Sequence, residues 1–193
     1  MLNSYLAGKS QRTPAAQQPP RPARPFITGV PEILPGKSAR IVHRFSLDRE
    51  LFFRDHTLWR DISREDPFLP GLAVVPLTVT MEILAECGEL LEPGKVLTGM
   101  REFRAYRWIT LDKPDLTIEM TAERRETGSV HVTLREAADG NQPRPLWAEG
   151  VMLFAGAYPP GQASPLFPLK GEHASSWTPE RLYVDGMFHG PSF

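Results

Sequence analysis

Cysteine is nearly absent from this 193-residue chain; the single Cys87 rules out an internal disulfide framework. It falls in an apolar helical pattern, where a small buried side chain is expected rather than a nucleophile. Net charge is nearly absent too. Against 23 acidic residues stand 22 basic ones spread along the chain, for a formal charge of −1, so nothing electrostatic argues for nucleic acid or an anionic membrane as partner. No apolar run approaches the roughly 20 residues that a membrane span requires, and no cationic, apolar leader opens the sequence as given. A reducing cytoplasm fits these features best.

Proline, in contrast, is plentiful: 20 residues, gathered at both ends and in the joints. Residues 1–25, with SQRTPAAQQPPRPARP inside them, are polar, proline-rich and without period, and are expected to form a disordered linker. The segment YPPGQASPLFPLKGE reads as a connector. Residues 26–158 are then the structured unit. Residues 159–193 hold the connector and RLYVDGMFHGPSF, which looks like the opening of another element. The chain is expected to be a piece of a longer polypeptide.

Periodicity organises the middle. Ser38 to Leu47 alternates, with Ile41, His43 and Phe45 on one side, and is expected to be a strand. Pro76 to Leu91 sets Leu77, Met81, Leu84, Gly88 and Leu91 at helical spacing, with Glu82, Glu86 and Glu89 among the polar positions and Pro93-Gly94 as the stop. Proline suits the first helical position, where its missing N–H has no partner to lose. Leu116, Ile118, Met120 and Ala122 alternate with polar residues, turn near Thr127-Gly128, and resume in Val130, Val132 and Leu134, a hairpin signature. Lys95 to Leu111 and Trp147 to Ala157 supply further strands, the second apolar enough to be buried on both faces. One apolar helix and about five antiparallel strands satisfy each other if the sheet curls around the helix, an α+β layout called the hot dog fold.

Three stretches then carry a resemblance. Phe52-Phe53-Arg54-Asp55-His56 resembles the segment that ends at the active-site histidine in dehydratase domains of polyketide synthases. Gly71-Leu72-Ala73-Val74-Val75-Pro76 is similar to the second part of that family's histidine motif, leading into the central helix. Gly186-Met187-Phe188-His189-Gly190-Pro191-Ser192-Phe193 resembles the signature that opens the second half of the same domain. In detail the chain looks most like the dehydratases of large iterative bacterial synthases, including those making polyunsaturated and related lipid chains. MLNSYLAG resembles the tail of a preceding synthase domain. The chain departs from the family where the motif's glycine usually follows the histidine closely: here the run WRDISREDPFLP intervenes before Gly71. His189 stands where many members carry tyrosine, and the family's catalytic aspartate belongs to a second hot dog beyond Phe193.

The resemblance implies the first half of a double hot dog that removes water from a 3-hydroxyacyl thioester to give an enoyl thioester. The substrate would ride on the phosphopantetheine arm of an acyl carrier protein in fatty-acid or polyketide synthesis, beside other synthase domains, with no metal or redox cofactor. Such a reaction needs a base for the α-hydrogen, an acid for the departing hydroxyl, and donors for the thioester oxygen. His56 would be the base. Gly71, Val75 and Pro76 would place backbone and the helix start by the carbonyl, and His189, Gly190 and Pro191 would contact substrate, although His189 is equally a turn cap. Glu82 stands six residues after Pro76, where freestanding fatty-acid dehydratases carry an acid supplied across a homodimer interface; it is the candidate acid if this half pairs with itself.

Blander readings stand beside these. From physics alone a histidine beside Phe52, Phe53 and Leu58 is more often structural, and His43, His131 and His173 are read as structural. Asp55 precedes His56, but neighbours in a strand point to opposite faces, so solvation is expected rather than a dyad. Asp66-Pro67 starts a turn. A self-sufficient homodimeric dehydratase or thioesterase, and a noncatalytic module that docks a carrier protein, remain as alternatives.

Overall fold

The computed structural model describes residues 24–50, 52–61, 70–137, 144–161, 171 and 173–182. The expectations for residues 1–23, for Asp66-Pro67 and for the motif with His189, Gly190 and Pro191 lie outside them. In chain order the elements are β1 (Glu32–Leu34), β2 (Ser38–Ser46), α1 (Phe52–Asp55), β3 (Thr57–Asp61), β4 (Pro70–Val74), α2 (Leu77–Glu89), β5 (Val96–Ala105), β6 (Thr110–Leu111), β7 (Asp115–Glu126), β8 (Ser129–Glu136), β9 (Leu146–Ala155) and α3 (Pro179–Arg181). No helix among the described residues is long and apolar enough to cross a membrane.

Six strands form one antiparallel sheet in the order β1-β2-β7-β8-β9-β5, and β3-β4-β6 form a second, small one. The large sheet carries α2 on its inner face, against β2, β7, β8 and β9. This is the hot dog fold. Alternation along the strands decides which side chains meet the helix: Ile41 and Phe45 from β2, Ile118 and Met120 from β7, Val130, Val132 and Leu134 from β8, and Met152 from β9 are all buried, as are Ile83, Leu84 and Cys87 of α2. Each large aliphatic side chain so removed from water contributes about 1.5–3 kcal/mol. Gly88 lets the helix settle close, because a Cβ there would stand 3.1 Å from Met152 Cγ and 3.2 Å from the Phe154 ring. The hairpin turn at Thr127-Gly128 falls where expected, with Gly128 at φ +79°, a conformation that favours glycine.

Several expectations need correction. The helix starts one residue late: Pro76 is its N-cap, at φ −55° and ψ 143°. Strand-like geometry persists to that point because Val75 N–H still donates to Ile109 C=O at 2.8 Å. The helix also ends at Glu89, two residues before Leu91. Leu77, expected on the buried stripe, is 56% exposed, whereas Glu86, counted among the polar positions, is only 4% exposed. Lys95 to Leu111 is two strands, since the chain leaves the large sheet after Ala105 and re-enters pairing as β6 against β4. On β9, Ala148, Gly150, Met152 and Phe154 are buried, whereas on the other face only Trp147 is, and Glu149, Val151, Leu153 and Ala155 are partly exposed. Asp55 is not in a strand; it ends the helical turn α1.

Behind the helix, Glu92 ties the exit loop to the hairpin. It is buried, pairs with Lys95 Nζ at 2.6 Å and Arg124 Nη1 at 2.9 Å, and accepts the Gly128 N–H at 3.1 Å. Burial pushes its carboxyl up, but the Lys95 hydrogen bond, the Gly128 amide and Arg124 outweigh that and hold it below the usual range.

Candidate active site

His56 reaches its place through the small sheet. Strand β3 runs out and β4 returns antiparallel, pairing Thr57 with Ala73 and Leu58 with Leu72. The inserted run begins inside β3, with Trp59, Arg60 and Asp61, and ends in β4 with Pro70, and the register brings Val74 back beside His56. The pairing is double. Val74 N–H donates to His56 C=O at 3.0 Å, and His56 Nδ1 lies 2.7 Å from Val74 C=O. A carbonyl only accepts, so Nδ1 carries the hydrogen, and in the neutral ring Nε2 carries the lone pair. The backbone of the β4–α2 junction thus sets the tautomer.

The ring borders a cleft of about 440 Å³ whose walls come from four parts of the fold. His56, Thr57 and Leu58 form one side, and Val74, Val75, Leu77 and Thr80 follow the chain into the helix. The link between β5 and β6 contributes Tyr106, Arg107, Trp108 and Ile109, and Ala148 closes the wall from β9. The lining is mostly apolar, and its volume suits a small ligand or an acyl tail. Leu77 and Trp108, 56% and 66% exposed, stand at the rim. Tyr106 is fixed there from outside: its N–H donates to Trp147 C=O at 2.7 Å and its hydroxyl donates to Glu149 Oε1 at 2.5 Å. Glu149 also meets His131 Nε2 at 3.0 Å; the Tyr106 hydroxyl, with His131, holds its carboxyl below the usual range against the effect of burial.

The start of α2 supplies donors. Its first turn contains no acidic residue, and no side chain caps it. The leading amides of a helix lack intrahelical partners and carry the positive end of the dipole. Thr80 N–H is already bonded to Pro76 C=O at 3.0 Å, which leaves the Leu77, Thr78 and Val79 amides in the leading turn. Thr80 itself is 3% exposed and lines the cleft, with its hydroxyl back-bonded to Pro76 C=O at 3.3 Å.

Of the residues singled out from sequence, the fold brings His56 and Val75 into this cleft. Pro76 is buried beside it as the helix cap, and Gly71 lies within β4, off the cleft's described lining. Glu82 is exposed on α2 and does not line the cleft. Sequence reasoning missed Thr80, Arg107 and Trp108. Thr80 has a faint signal, a polar residue four after the helix-opening proline; the rim pair has none, because it depends on the sheet switch after Ala105. Cys87 is buried as expected, and burial pushes its thiol up to about 12, so it is no nucleophile. Among the described residues no group of three or more His, Cys, Asp or Glu side chains could hold a metal ion.

No protein-family model matches the sequence, and no curated protein matches it significantly. Solved structures do. The dehydratase domain from the CurK module of the curacin polyketide synthase is 16% identical with a TM-score of 0.56, over 74% of this chain and 47% of that one. The dehydratase domain from the terminal module of the rifamycin polyketide synthase gives 18% and 0.53, over 72% and 45%. That of the curacin CurF module gives 16% and 0.54, over 74% and 46%. The chain therefore shares the fold of polyketide synthase dehydratase domains, and it spans about half the length of these structures.

Proposed function

We propose that the chain is the N-terminal hot dog half of a dehydratase domain, with His56 as the base that eliminates water from a 3-hydroxyacyl thioester. The observation that carries this reading is the 2.7 Å contact of His56 Nδ1 with Val74 C=O in the wall of an apolar cleft at the head of α2. In the step, His56 Nε2 takes a proton from C2 of the acyl chain. The C–H electron pair becomes the C2=C3 π bond, the C3–O bond breaks, and the hydroxyl leaves as water once an acid gives it a proton. Negative charge gathering on the thioester oxygen is met by the leading amides of α2, for which Val75 and Pro76 set the entry and Gly71 the approaching strand.

The acid belongs to a second hot dog half, as an aspartate. Two structures of the CurK dehydratase are of variants described as inactive, one with histidine replaced by phenylalanine and one with aspartate replaced by asparagine; a His and Asp division of labour is consistent with both. The substrate arrives on a phosphopantetheine arm of an acyl carrier protein. Arg107 lines the cleft beside exposed Tyr106 and Trp108, and in this reading its guanidinium binds the arm's phosphate. His189, Gly190 and Pro191 remain proposed substrate contacts.

A second reading is favoured by the exposure of Glu82, which leaves its carboxyl available to another copy of this chain. The test separates the two. Dehydration of a 3-hydroxyacyl pantetheine thioester is measured for the polypeptide joined to its second half, and for the 193-residue chain alone. His56→Ala should lower kcat by at least about 10²-fold in the joined form. Activity restored in the short chain by mixing His56→Ala with Glu82→Gln copies would move the acid to Glu82. A joined form unaffected by His56→Ala sinks the base assignment.

A further inference from the structure

Glu86 is the buried acid that the chemistry above does not use. It sits in the middle of α2, 4% exposed, where burying an ionisable side chain costs several kcal/mol unless it is bonded. Its partners are backbone. Phe26 N–H lies 3.1 Å from both carboxyl oxygens and Ile27 N–H lies 2.9 Å from Oε2. One residue on, Thr28 N–H donates to His43 Nδ1 of β2 at 3.2 Å. Residues 24–30 thus form a strap held by the central helix on one side and β2 on the other. Gly29 makes the fit tight: a Cβ there would stand 2.0 Å from Val42 C=O.

The strap leans on the element that delivers the candidate base. Phe26 meets Phe52 edge to face, with centroids 6.0 Å apart and planes at 80°. Phe52 packs on Phe53 at 4.3 Å, and Phe53 meets Phe45 at 5.2 Å. Phe52 and Phe53 open α1, whose last residue, Asp55, precedes His56. A four-residue helix holds no shape alone, so its orientation comes from what packs against it.

We propose that Glu86 is a positioning residue: by clamping the strap of residues 24–30 it fixes α1, through Phe26 and Phe52, and so sets the imidazole of His56 in the cleft. Its catalytic consequence rests on the reading of His56 as base; the positioning does not, and it is tested without an activity. In the 193-residue chain, amide hydrogen exchange at Phe26 and Ile27 reports the strap, and ¹H–¹⁵N signals of the His56 ring report the site. Glu86→Ala and Gly29→Ala should each raise exchange at both amides about tenfold, the loss of roughly one hydrogen bond at each amide. Each should also shift and broaden the His56 ring signals. Glu86→Gln keeps an acceptor oxygen and should return both readouts toward the wild type. If Glu86→Ala does not fold, Gly29→Ala against Glu86→Gln makes the same comparison. Strap amides that exchange freely while the His56 ring is unchanged, or that stay protected in the variants, overturn the proposal.

Discussion

At Gly88 the helix and the sheet approach so closely that side-chain size is fixed from both directions. A methyl adds helix propensity of about 1 kcal/mol but pushes on Met152 and the Phe154 ring, whereas a branched side chain has nowhere to go. Gly88→Val is therefore expected to destabilise the chain by about 1–3 kcal/mol in urea unfolding, with an unchanged m-value. Arg107 makes the opposite kind of prediction, because it is exposed and holds no part of the core. Under the proposed function, Arg107→Ala should raise KM for a phosphopantetheine-borne substrate several-fold and leave kcat and stability as they were. The same substitution should not matter for a substrate truncated before the phosphate; steady-state kinetics on both substrates checks this.

At the level of elements, α2 and the loop that leaves it each carry one buried carboxylate, Glu86 and Glu92, and the two titrations oppose each other. Burial pushes Glu86 up to about 7, against the pull of the Phe26 and Ile27 amides. An acid raised in the folded state favours folding most below its unfolded pKa of 4.5, and that advantage is lost as pH rises through about 7. Glu92 is lowered, so its contribution is present above its unfolded pKa and lost in more acid solution. Between pH 4.5 and 7 the Glu86 contribution should therefore fall, by roughly 2–3 kcal/mol. Glu86→Gln should flatten that slope in denaturant titrations taken across the window, and an unchanged slope would reject the assignment.

The helix, the hairpin and the alternating strands were legible in the sequence because each is a local period read against one buried face. What failed was non-local. Glu86 looked solvated because nothing in its neighbourhood foretells a strap sixty residues earlier in the chain. Leu77 looked buried because the helical stripe does not know that a cleft opens at its first turn. His56 was singled out by motif alone, and the run before Gly71 hid its setting, the contact with Val74 that the β3–β4 register makes. The rim of Tyr106, Arg107 and Trp108 depends on one strand leaving one sheet for another, which period cannot encode.

At the scale of the whole molecule, the sheet does two jobs with one curl: it covers the apolar face of α2 and leaves the helix's leading turn open on a cleft beside His56. The proposed chemistry divides accordingly, with base and oxyanion donors in this half and the acid elsewhere. Proton removal from C2 does not need that acid, so it can be watched separately from loss of water. The most direct measurement is the exchange of the C2 hydrogens of an acyl pantetheine thioester with deuterium oxide, followed by NMR in the presence of the 193-residue chain. Exchange above the buffer rate that disappears in His56→Gln, whose fold is checked by circular dichroism, is the result expected. Exchange that persists in the variant, or none with the wild type, would contradict a base at His56.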